Sequence, residues 1–134
     1  LAFSADNQVA IAKEEGALGA LVALLGEGSA RGKEYAAAAL YILAATADNK
    51  VAIAKEEGAL AALVALLGEG SAVGKENAAE ALQSLALNAD NKVAIAKEEG
   101  APAALVALVA LLRDGSAVGK EYTRRAQSTP SPRT

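Results

Sequence analysis

The string DNQVAIAKEEGAL runs from Asp6 to Leu18, DNKVAIAKEEGAL from Asp48 to Leu60, and DNKVAIAKEEGAP from Asp90 to Pro102. Their starts at positions 6, 48 and 90 set a step of 42 residues. A second block recurs in phase: LVALLGEGSARGKEY from Leu21 and LVALLGEGSAVGKEN from Leu63. Its third copy, LVALVALLRDGSAVGKEY from Leu105, carries three additional residues. LAFSADN at Leu1 matches LAATADN at Leu43 and LALNADN at Leu85, so even the first residues belong to the pattern. Self-similarity of this length at fixed spacing is the mark of a repeat architecture. It divides the chain into a partial repeat over 1–5, repeats over 6–47, 48–89 and 90–127, and a tail over 128–134.

Within one period the pattern predicts three helical segments. Asp48 or Asn49 reads as an N-cap, followed by a short helix through Val51, Ile53 and Ala54 that stops near Gly58. A second helix is expected from Ala59 to about Leu67, with Leu60, Leu63, Val64 and Leu67 at the i, i+3, i+4, i+7 spacing of an apolar face. Gly68 and Gly70 are expected to end it. Ser71 reads as the cap of a third helix from Ala72 to about Leu87, turning Ala78, Leu82 and Leu85 inward. No such helix can bury its apolar face alone, so successive repeats are expected to stack.

Composition agrees with an all-α chain. Hydrophobic residues make up 53% of the 134, but aromatics only 3%. With so few large rings, a core must form by close approach of Ala-rich helices, with gaps filled by Leu, Val and Ile. Ala, Leu, Lys and Glu are also strong helix formers.

The period and the short first helix, broken by Gly before GALxxLVxLL, together resemble the armadillo repeat of the importin-α and β-catenin type. GALGALVALL from Gly16, GALAALVALL from Gly58 and GAPAALVALV from Gly100 are close to that family's second-helix pattern. The HEAT repeat, whose period falls in the same range, is the alternative. The resemblance covers residues 1 to about 126. It implies a right-handed α-solenoid of about three repeats, acting as a protein-interaction scaffold. A structural, self-assembling element without an external ligand is the competing reading. In peptide-binding armadillo proteins a Trp, and an Asn four residues later, grip a peptide main chain from the third helices. Here the Trp position falls on Ala38, Glu80 and Arg125, and the Asn position on Ile42 and Ser84. None matches, so those binding residues are not carried over.

Residues that could carry chemistry are sparse. The chain has no Cys and no His, which removes thiolate nucleophiles, the commonest general base and the commonest metal ligands. No enzyme activity, cofactor or metal is therefore expected, and the lack of Cys fits a reducing compartment, cytoplasm or nucleus. The net charge of −3 argues against a nucleic-acid partner. The apolar run from Ala101 to Leu112 contains Pro102 and is too short to span a bilayer. GEGSARGKE around Gly28 departs from a phosphate loop, because Glu34 stands where a hydroxyl is required. It reads as an inter-helix turn with a Ser cap. The pairs Glu14–Glu15, Glu56–Glu57 and Glu98–Glu99 point about 100° apart on a helix and do not converge on one site.

Two surfaces remain. Along the third helices a partner strip is expected: Arg31, Tyr35, Asn77, Glu80, Ser84 and Tyr122, at positions where the repeats differ, with Glu34, Glu76 and Glu121 recurring on the same face. Its acidic balance favours neutral or basic peptides. The ends are the second surface. Leu1 and Phe3 look like the last turn of an interrupted third helix, and the absence of an initiator Met suggests a fragment or a processed chain. The insertion in LVALVALL adds about 4.5 Å and turns the following chain by about 300°. The segment after Tyr122 lacks the inward apolar residues of the earlier third helices, and the tail with its two prolines is expected to be disordered. Leu105, Leu108, Leu111 and Leu112 would then be left uncovered. Self-association is expected, as a dimer through the C-terminal end or by head-to-tail stacking.

Overall fold

The computed structural model describes residues 4–105 and 109, and it is all-helical over them. Seven helices follow in order: α1 (Ala5–Lys13), α2 (Ala17–Glu27), α3 (Ala30–Leu43), α4 (Ala47–Lys55), α5 (Ala59–Glu69), α6 (Ala72–Leu85) and α7 (Ala89–Ala96). Residues 101–105 are helical as well. The triplet short–medium–long repeats with the sequence, and α1, α4 and α7 begin at Ala5, Ala47 and Ala89.

The helix boundaries have local causes. Ser29 and Ser71 cap α3 and α6, each Oγ accepting from the amide three residues on, Gly32 and Gly74, at 3.0 Å. The short helices begin earlier than Asp48 or Asn49. Thr46 is the cap of α4, its Oγ1 accepting from the Asn49 amide, while Ser4 and Asn88 do the same for α1 and α7. Asp48 therefore sits in the first turn, where its charge meets the positive end of the helix dipole. The side chain of Asn49 is thereby left for other work. α5 runs through Gly68 to Glu69 and ends at Gly70. Between the short helix and the medium one, Gly16, Gly58 and Gly100 adopt φ of 81°, 83° and 90°. Only glycine enters that left-handed region without a Cβ penalty.

Corresponding helices pack on one another: α3 against α6 most extensively, then α1 against α4, α2 against α5 and α4 against α7. Within a repeat, α2 packs on α3 and α5 on α6. The core runs through these contacts. Leu25, Leu40, Ile53, Leu63 and Leu85 are its largest fully buried apolar side chains. Leu60, Leu63, Val64 and Leu67 of α5 and Ala78, Leu82 and Leu85 of α6 are all buried, as their spacing predicts. Small residues on the long helices are buried too, Ala36 and Ala37 on α3 and Ala78 and Ala81 on α6.

Candidate functional site

α3 buries Ala36, Ala37, Leu40 and Leu43, which leaves the opposite side of the helix free. At about 100° per residue, Arg31, Glu34, Tyr35, Ala38, Tyr41 and Ile42 fall within an arc of about 120° on that side. In α6 the same arc carries Val73, Glu76, Asn77, Glu80, Gln83 and Ser84, position for position. The two helices share their longest contact, so the two arcs are neighbours.

The expected strip divides into two sets by what its members touch. Asn77 Nδ2 donates to the Glu34 carbonyl at 3.0 Å, and Ser84 Oγ donates to the Ala44 carbonyl at 3.1 Å. Ser71 Oγ donates to Glu34 Oε2 at 2.6 Å. Glu34, Asn77 and Ser84 thus join α6 to α3. Glu80 is half-buried, and Glu76 is half-buried and engaged in an interaction of its own. Arg31 and Tyr35 are exposed, Tyr35 at 64%. Tyr41, Val73 and Gln83 on the same arcs, and Leu87 just after α6, are exposed too. Glu121 and Tyr122 lie outside the described residues.

Polar work that the sequence reading assigned to capping turns out to be done between repeats. Asn49 is buried, and its Nδ2 donates to the carbonyls of Gln8 at 2.9 Å and Leu43 at 2.8 Å. Asn91 repeats the arrangement one period on, donating to Lys50 and Leu85, both at 3.0 Å. The only available signal was the recurrence of Asn after Asp, which fits a cap equally well.

Of the expected end residues, Leu105 is exposed, as is Val109 four positions on. Leu1, Phe3, Leu108, Leu111 and Leu112, the tail and the geometry around the insertion lie outside the described residues. Among the described residues no three or more carboxylates gather into a metal-binding group. Glu56 is half-buried beside exposed Glu57. The Gly28 turn spends its Ser29 hydroxyl on the Gly32 amide, so that amide is not free for a phosphate. No helix among the described residues is long and apolar enough to cross a membrane. Compared with known proteins, the chain matches no family model, no curated protein and no solved structure.

Proposed function

We propose that the chain is a non-catalytic protein-interaction scaffold, an armadillo-type right-handed solenoid whose third helices line a concave face for an extended peptide. The observation that carries this reading is the contrast along α3 and α6. Their inward residues are small or aliphatic in both copies, whereas their outer arcs present Arg31, Tyr35 and Tyr41 in one and Val73, Glu80 and Gln83 in the other. Stacking demands likeness, and a surface released from stacking is free to specialise. Exposed Tyr is a favourable anchor, because it offers a large apolar ring and a polar tip at low entropic cost. The carboxylates of Glu34, Glu76 and Glu80 make the strip acidic, so the partner is a neutral or basic peptide of an intracellular protein rather than nucleic acid or membrane.

Fluorescence anisotropy with matched basic, neutral and acidic peptides, at low and high salt, tests this. Basic and neutral peptides should bind, weakly and with loss of affinity in salt, since an exposed charge pair contributes only about 0–1 kcal/mol. Tyr41→Ala should reduce binding of both, and Glu80→Gln that of the basic peptide alone. Tightest binding by the acidic peptide would overturn the proposal.

A further inference from the structure

The first two repeats differ on their short and medium helices only at Gln8 against Lys50 and Gly19 against Ala61, yet bury the shared residues differently. DNQVAIAKEEGAL and DNKVAIAKEEGAL differ only at Gln8 and Lys50, and LVALLGEGSA is common to both. Ile53 on α4 is 0% exposed, whereas its counterpart Ile11 on α1 is 37% exposed. Leu66 on α5 is 6% exposed, and Leu24 on α2 is 40% exposed. Asn49 is buried with two hydrogen bonds, while the side-chain amide of Asn7 has no partner among the described residues. Asn49 is received by the repeat before, through the carbonyls of Gln8 and Leu43, and α4 packs on α1 and α3 of that repeat. Asn7 and Ile11 lie four residues apart on one stripe of α1, as Asn49 and Ile53 do on α4.

The other end shows the complement. The side of the short helix that receives the next repeat is marked by the carbonyl of Gln8, which accepts from Asn49, and that of Lys50, which accepts from Asn91. The next member of the series is Lys92 on α7, to whose carbonyl no side chain among the described residues donates. Exposure rises along the same series: Gln8 is buried, Lys50 half-buried and Lys92 exposed. Ala12 and Ala54 are half-buried, and Ala96 is exposed. One end of the described chain thus presents a donor with an apolar neighbour, and the other presents the acceptor that matches it.

We infer that α1 of one molecule docks on α7 of a second copy of this chain, head to tail, with Asn7 Nδ2 donating to the carbonyl of Lys92. The docking continues the interface already made between α1 and α4 and between α4 and α7. On α3 two of the three polar joints are not repeated, because Tyr35 and Ile42 stand where Asn77 and Ser84 stand in α6, while Ser29 stands where Ser71 does. Recognition therefore rests on the short helices. A head-to-tail contact uses two different faces, so it propagates unless its rotation closes a ring. The inference is independent of peptide binding to the outer arcs.

Light scattering coupled to size exclusion, with the full chain and two variants, tests it. The unaltered chain should rise above its monomer mass of 13.4 kDa as concentration increases. Asn7→Asp combined with Ile11→Glu removes the donor and charges the leading face, and that protein alone should stay monomeric. Ala96→Glu blocks the opposite face and should also stay monomeric alone. Mixing the two variants should restore a one-to-one complex of twice the monomer mass, because each keeps the face the other has lost. All three positions are clear of the core, so unchanged circular dichroism is expected. Tyr41→Ala should leave the association untouched. The inference is overturned if the unaltered chain stays monomeric to millimolar concentration, if either variant still associates alone, or if the mixture yields monomers only.

Discussion

The side-chain amide of Asn91 reaches back 41 residues to the carbonyl of Lys50, at 3.0 Å, and in doing so ties one repeat to the one before. Asn49 does the same to Gln8. An amide suits this place because it supplies two N–H donors, and two carbonyls converge on it from different helices. Replacing Asn49 with Ala should cost about 2–3 kcal/mol in urea unfolding, the sum of two lost hydrogen bonds at a buried position. The same change at Asn7, whose side chain makes no bond among the described residues, should stay within about 0.5 kcal/mol at concentrations low enough to keep the chain monomeric. Equal effects at the two positions would count against the clamp.

Leu40 is fully buried in the C-terminal half of α3. Its replacement by Ala should cost about 2–5 kcal/mol, from lost burial and the cavity left behind. Tyr41, the next residue, is exposed, and Tyr41→Ala should cost under about 0.5 kcal/mol. Thermal or urea unfolding of the two proteins gives the comparison directly.

The turn between α5 and α6 tolerates no side chain at Gly70. A Cβ there would lie 2.7 Å from the Leu66 carbonyl oxygen and 2.5 Å from Leu66 Cδ1. Gly70→Ala should therefore destabilise by about 1–3 kcal/mol, the range for overpacking. A Cβ on Gly26, inside α2, would meet nothing within 4 Å. Gly26→Ala should stabilise by about 0.5 kcal/mol through helix propensity. Opposite signs for two Gly→Ala changes are the expected outcome of chemical denaturation.

Ser71 serves two partners, accepting from the Gly74 amide and donating to the Glu34 carboxylate of the preceding repeat. Ser71→Ala should cost about 1–2 kcal/mol, chiefly through the lost cap. In a double-mutant cycle with Glu34→Ala, a coupling of about 0.5–1 kcal/mol is expected. A coupling near zero would mean that the bond between the side chains does not join the repeats in solution.

The repeat and the inward faces of α5 and α6 were legible from residue order alone. The 42-residue step, the i, i+3, i+4 spacing in α5 and the Ser before α6 act within a few residues, so local chemistry decides them. Asn49 and Glu34 were not legible in the same way. An Asn beside an Asp at the start of a helix reads as a cap, and a Glu on a variable helix face reads as a partner contact. Only packing revealed that Asn49 bonds Gln8 and that Glu34 receives both Asn77 and Ser71. These bonds join residues about 40 positions apart, a distance that no local pattern encodes. The contrast between Ile11 and Ile53 makes the same point, since two identical residues in identical local sequence differ in exposure. Sequence determines which side of a helix must be covered, and the presence of a neighbouring repeat determines whether it is.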